Sequence, residues 1–210
     1  MKGIVLILCD KTGDIVSPWI EAGYEAITVD LQDSPTACPG RHHFVADVRT
    51  WRYPLRFGQP AIVFAFPPCT HLASSGARWF KDKGLRALIE ALQIVDACRE
   101  ICETSGSPWM LENPVGTLAT YWRKADHTFH PHDFTAFELG DNYTKKTLLW
   151  TGGGFVMPAS AAALGLSEPD DRIHKKSPSD DRSDFRSATP MGFARAVFRA
   201  NAPSSDVRAA

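Results

Sequence analysis

Two short runs, GIVLIL at residues 3–8 and AIVFAF at 61–66, carry no charged or hydrogen-bonding side chain. A strand with one wet face alternates apolar and polar residues, so a run without alternation has to be covered on both faces. Parallel sheets meet that demand, because each crossover returns over the sheet and shields it. The rest of the chain supplies the matching parts. IVSPWIEAGY reads as a short helix closed by Gly23, and EAITVD (25–30) as a strand ending in an acid. HFVADV (43–48), PWMLENP (108–114) and KKTLLW (145–150) are further strands. KGLRALIEALQIVDACREICETSG sets Leu85, Leu88, Leu92, Val95 and Cys102 at helical spacing, with Ile89 and Cys98 alongside and Gly106 where a helix would stop. TPMGFARAVFRAN is a second helical amphipath, with Phe193, Val197 and Ala200 on one side. The alternation predicts an α/β fold with one open, mostly parallel sheet in a single domain over residues 1–210. SEPDDRIHKKSPSDDRSD (167–184) is polar and charged, and is expected to be a flexible loop.

Bulk properties exclude some classes. The hydrophobic share is 44%, enough for a real core, and the formal net charge of −1 argues against blanket binding to nucleic acid. A nucleic-acid role would need a local basic groove. No apolar run has membrane length, and IVLILC near the start is too short for a secretory signal, so no membrane partner is expected. The five cysteines are odd in number, and without an export signal reduced thiols and a cytoplasmic location are expected.

The strand AIVFAF stops at Pro67 and Pro68, and the next residue is Cys69. Proline cannot continue a ladder, so two in succession force the chain out of the sheet in a fixed direction. In open α/β sheets ligands bind outside the carboxyl ends of the strands. Cys69 is thereby mounted where a nucleophile needs to be, and Glu112 ends the next strand beside it. A buried structural cysteine and a solvated strand-end acid are the plainer readings of each alone. The polar, small segment THLASSG after Cys69 and the pairing with Glu112 favour chemistry.

The same residues resemble the cytosine-C5 methyltransferases that use S-adenosylmethionine, whose hallmark is Pro-Cys after the fourth strand and Glu-Asn after the next. The likeness is closest to small phage-type proteins described as DNA cytosine methyltransferases. It is carried by PPCTHLASSGARW (67–79), ENP (112–114), KKTLLW (145–150) and HKKSPSDDRSDFRSATPMGFARA (174–196). The resemblance implies a Rossmann-like methyltransferase sheet with helices on both faces. It also implies Cys69 as the nucleophile that adds to cytosine C6 and Glu112 as the acid at N3. Pro67 would line the cofactor and Pro68 and Asn113 the substrate. Lys145 and Lys146 stand where the family has an arginine for cytosine O2 or a phosphate, and a solvated lysine pair fits the same place.

Several positions keep two readings. Asp30, at a strand end, suits ribose hydroxyls or a turn. Asp47 would meet the adenine amino group by analogy. Asp10 and Gly13 form a first loop poorer in glycine than the family's. Arg78 could reach a phosphate or lie at the surface, and Arg182 and Arg186 could close the 167–184 segment on a phosphate. Cys38, His42, His43, His127, His130 and His132 cluster without the spacing of a zinc site, so no metal is expected. Only residues 151–187 separate Trp150 from ATPMGFARA, too little for a base-reading domain. The substrate is then cytosine in single-stranded or duplex DNA, with or without a partner protein for target recognition, or a free nucleotide such as dCMP. Two other classes remain: a non-catalytic module binding cofactor or nucleic acid, and a folate-dependent pyrimidine enzyme. The second also attacks C6 with cysteine but has no use for the strand–turn–helix–strand unit ending in Asp30.

Overall fold

The computed structural model describes residues 2–10, 12–34, 38–172 and 188–207. Seven strands form one open sheet: β1 (Ile4–Leu8), β2 (Glu25–Asp30), β3 (Arg41–Val45), β4 (Ile62–Ala65), β5 (Trp109–Pro114), β6 (His127–Phe129) and β7 (Thr147–Gly152). Their order is β3-β2-β1-β4-β5-β7-β6. β1 pairs in parallel with β2 and β4, β2 with β3, and β4 with β5. β7 is antiparallel to β5, with Glu112 opposite Leu149. The chain moves to one side of β1 through β2 and β3, then to the other through β4 and β5. That reversal puts the topological switch point at the carboxyl ends of β1 and β4, the place where open α/β sheets hold ligands.

The apolar runs do what their lack of alternation requires. Every residue of β1 and β4 is buried. Leu6, Leu8, Ile27, Val63, Ala65 and Leu111 share a core with Ala91, Val95, Cys98 and Cys102 of α2 (Phe80–Thr104). The alternate positions Val5, Ile7, Phe64 and Met110 are fully buried as well. The predicted stop after α2 is present, with Gly106 at φ 70°.

Three expectations shift. The third strand begins two residues earlier than expected and ends at Val45, because the Asp47 carbonyl accepts the amides of Thr50 and Trp51 and turns the chain there. The strand expected at 145–150 starts at Thr147, leaving Lys145 and Lys146 before it. Leu85 and Ile89, expected near the core face of α2, are 71% and 46% exposed. The buried stripe starts only at Ala91, and Gly84 (φ 73°, ψ 179°) interrupts the helix before Leu85. α3 (Leu118–Tyr121) is a single turn after β5.

The sequence pattern offers no boundary within 1–210, whereas the chain packs as two compact units, each assembled from separate stretches. The first comprises Met1–Gly13, Gly23–Thr128 and Thr147–Phe155 and carries nearly all of the sheet with α2 and α3. The second comprises Asp14–Ala22, Phe129–Lys146 and Val156–Ala210, with α1 (Ser17–Glu21), α4 (Met191–Asn201) and α5 (Ser204–Val207). In this second unit Phe193 of α4 stacks on Phe129 at 4.0 Å, and Phe198 meets Trp19 of α1 edge-on at 5.1 Å.

The amino end of α4 is capped from a distance: the Gly192 N–H donates to Asp141 Oδ2 at 2.7 Å. Burial pushes the Asp141 carboxyl above the ordinary aspartate range, against the opposing pull of that N–H. Asp141→Ala is expected to destabilise the protein by about 1–2 kcal/mol, the worth of a lost cap. Because the folded pKa is raised, Asp141 contributes more as pH falls through its folded value. The gap in melting temperature between parent and variant should therefore widen from pH 7 toward about pH 4.

Candidate active site

The Pro67-Pro68-Cys69 corner leaves β4 one residue after the ladder ends, where Phe66 N–H still donates to the Leu8 carbonyl at 2.9 Å. Pro67 is buried, Pro68 exposed and Cys69 half-buried. The Cys69 carbonyl accepts the amides of Leu72 (2.9 Å) and Ala73 (2.8 Å), so a tight turn follows the thiol. On the adjacent strand Ala65 is level with Leu111, which brings Glu112 to the same sheet end as the corner. Glu112 is half-buried and Asn113 fully buried.

Hydrogen bonds then clip the two strand ends together. Asn113 Nδ2 donates to the Pro67 carbonyl at 2.9 Å, across buried space. The Thr117 N–H donates to the Leu72 carbonyl (2.9 Å), and Ser74 donates to the Val115 carbonyl from both its N–H and its hydroxyl (2.9 Å each). Ala73 and Gly116 form an antiparallel bridge. A Cβ on Gly116 would lie 2.8 Å from Leu72 C and 2.9 Å from Ala73 Cα, so only glycine permits this approach. Asn113 is thus a tie between the loops, and its Oδ1 is buried with no hydrogen-bond partner among the described residues. The clip residues Ser74, Gly116 and Thr117 escaped the sequence reading, and a glycine two residues beyond Pro114 was the one signal they offered.

The first loop follows β1 through Cys9, at φ 57°. The Asp10 carboxylate accepts Thr12 N–H (2.8 Å), Thr12 Oγ1–H (2.9 Å) and Gly13 N–H (3.1 Å). Arg41 closes the loop by donating to the Thr12 carbonyl, and Gly13 (φ 74°) leaves the room its guanidinium occupies. A carboxylate and an arginine therefore hold a loop that has few glycines. Asp30 is half-buried at the end of β2, where its Oδ1 accepts the Gln32 N–H at 2.8 Å. Asp47 is engaged by Arg49, whose Nη2 lies 2.6 Å from Oδ2, and these hydrogen bonds hold its carboxyl below the ordinary range.

Arg78 lies exposed with its guanidinium 5.0 Å from the centre of the Trp79 ring. Lys145 and Lys146 belong to the second unit, where Lys145 Nζ donates to the Ala188 carbonyl at 3.2 Å. Arg182 and Arg186, and most of the segment expected to be a flexible loop, lie outside the described residues. The first unit therefore brings Cys69, Glu112, Asn113, Pro67 and Pro68 to one sheet end, with Asp10, Gly13 and Asp30 at the ends of β1 and β2.

His42 pairs with Glu25 at 3.0 Å, and His43 bridges Thr28 Oγ1 and the Gln32 carbonyl. Among the described residues no three His, Cys, Asp or Glu side chains are placed to hold a metal ion. Nor is any helix of the described residues long and apolar enough to cross a membrane. Cys98 and Cys102 are buried free thiols, and Cys9 Sγ lies 3.7 Å from Cys98 Sγ; that contact and burial push the Cys98 thiol up.

A cavity of about 520 Å³ lies elsewhere in the first unit, between residues 48–60 and the last two turns of α2. Of the residues proposed for chemistry from the sequence, none lines it.

Compared with models of known protein families and with curated protein sequences, the chain matches none.

Proposed function

We propose that this chain is an S-adenosylmethionine-dependent methyltransferase that modifies cytosine at C5, acting on cytosine in DNA. One observation carries the reading: a nucleophile on a rigid Pro-Pro mount is fastened to a carboxylate-bearing strand end, at the carboxyl edge of a Rossmann-like sheet. A structural cysteine needs no such fastening, whereas a reaction that attacks one ring atom while protonating another needs both groups held in register.

Cytosine C5 is a poor nucleophile until the ring is made electron-rich. The Cys69 thiolate adds to C6, breaking the C5–C6 π bond and placing electron density at C5 and N3. Glu112 supplies the proton or hydrogen bond at N3 that stabilises this enamine, for which it must be protonated near neutral pH. S-adenosylmethionine, when bound, would supply the electrophilic methyl group that C5 takes up, its sulfur leaving as the neutral thioether. Loss of the C5 proton to a base then expels Cys69 as thiolate and restores the aromatic ring.

The cofactor's fit is tested by the carboxylates at the strand ends. Asp30 fits, since it employs only Oδ1 within the described residues and stands at the end of β2, where ribose hydroxyls are bound in such folds. Asp10 and Gly13 serve by shaping the loop that the cofactor would lie against, and Asp47 reaches an adenine amino group only by sharing with Arg49.

The test is transfer of labelled methyl from S-adenosylmethionine to single-stranded DNA, duplex DNA and dCMP. Label on DNA that disappears in Cys69→Ala is the expected result. Label on dCMP alone would move the substrate to the nucleotide pool, and no transfer to any of the three would overturn the catalytic reading.

A further inference from the structure

We propose that the exposed stretch from Ser74 to Ile89 is a docking surface for a single strand of nucleic acid, with Trp79 stacking a base and Arg78, Lys81 and Arg86 meeting phosphates. It deepens the function proposed above, and rests on that reading for the claim that the strand leads to Cys69.

Three observations in the first unit carry it. The stretch exposes large apolar side chains that folding would be expected to bury: Trp79 is 51%, Leu85 71% and Ile89 46% exposed. Around them stand Arg78, Lys81, Lys83 and Arg86, against Asp82 and Glu90. Arg86 is shared with Glu90 at 3.6 Å, while Arg78 and Lys81 have no carboxylate partner among the described residues. An aromatic face amid cations suits a backbone-plus-base ligand better than an apolar peptide. The Arg78 guanidinium already lies over the Trp79 ring, 5.0 Å from its centre, so the pair forms a cationic stacking platform.

The third observation ties the platform to the reaction. Lys83 Nζ donates to the Thr70 carbonyl at 2.8 Å, which fastens the start of α2 to the residue after Cys69. A base stacked on Trp79 is therefore a near neighbour, along the strand, of a base presented to the thiol. Gly84, at φ 73° and with open space around its Cβ position, interrupts the helix within this surface, between Trp79 and the Leu85–Ile89 stretch. Duplex bases offer no free face for such stacking, so the surface selects single strands.

The experiment is fluorescence anisotropy of a labelled oligothymidylate, and of the same strand annealed to its complement, titrated with the full chain without cofactor. Oligothymidylate contains no cytosine, so binding is read apart from catalysis. The single strand should bind more tightly than the duplex. Trp79→Ala should weaken its binding about 5- to 100-fold, and Trp79→Phe should retain most of it. Lys81→Ala should flatten the dependence of affinity on salt by close to one phosphate contact. Equal affinity for single strand and duplex, or no binding by the parent, or no loss in Trp79→Ala, would overturn the proposal. Methyl transfer to DNA with unchanged binding in Trp79→Ala would sink the platform and leave the methyltransferase reading standing. Single-strand binding through Trp79 with no transfer to any substrate would do the reverse.

Discussion

Replacing Cys69 by alanine is expected to lower methyl transfer by roughly 10⁴-fold or more while changing stability by less than about 1 kcal/mol. The separation follows from what holds the turn and the corner. Cys69 holds its loop through its backbone carbonyl, which accepts the Leu72 and Ala73 amides and is untouched by the substitution. The corner is set by Pro67 and Pro68 and by the Asn113 bond to Pro67. Neither the turn after residue 69 nor the corner before it is therefore built on the thiol. Labelled-methyl transfer gives the first quantity and denaturant unfolding the second. Cys69→Ser should behave like the alanine variant, because a hydroxyl at neutral pH lacks the nucleophilicity of a thiolate. Retention of more than a tenth of the parent rate in either variant would exclude the covalent mechanism. A large loss of stability in both would return Cys69 to a structural role.

Gly116→Ala is expected to act through geometry. Its Cβ would press on Leu72 C and Ala73 Cα, backbone atoms that cannot swing aside. The two loops must then part, stretching the Thr117–Leu72 and Ser74–Val115 hydrogen bonds and the Ala73–Gly116 bridge. Overpacking and loosened hydrogen bonds together should cost about 2–4 kcal/mol. In whatever fraction remains folded, kcat should fall about 100-fold, the scale of a 1 Å misplacement, with a smaller effect on KM. Gly154→Ala is the control. It has a positive φ, 88°, which Gly116 does not, and open space around its Cβ position, so backbone strain of about 1 kcal/mol is expected with no steric push on a neighbour. If the two variants were equally active, the clip would have no part in placing Cys69 against Glu112.

The sheet was legible because burial on both faces leaves its mark on every residue of a strand, as in β1 and β4. Placement at the margins was less so. The third strand was carried three residues too far, to Val48 in place of Val45, because the Asp47 turn that follows it has no apolar signature. Leu85 and Ile89 were assigned to the core face of α2, with Leu88 and Leu92 that do pack there, because all four keep helical spacing. Spacing says which residues share a face, and where the sheet beneath that face ends is a tertiary fact. Cys69 and Glu112 were legible as candidates because prolines and a terminal acid punctuate two strands. The clip between them was not, since Gly116 and Leu72 are far apart in sequence and close approach of two backbones has no periodicity. Asp10 was ambiguous for a different reason. A short carboxylate that organises a turn and one that binds a ligand are the same residue type in the same kind of loop, and only the three hydrogen bonds it accepts distinguish the roles.

The interleaving of the two units has a consequence for the order in which the molecule is made. Trp19, fully buried in the finished protein, belongs with residues 14–22, yet its edge-on partner Phe198 lies on the last long helix. On the ribosome the strands of the first unit can pair as they emerge, while the indole waits for α4 to be completed. Until then IVSPWI is an unshielded apolar segment on a nascent chain, and closure of the second unit waits for α4 to be made.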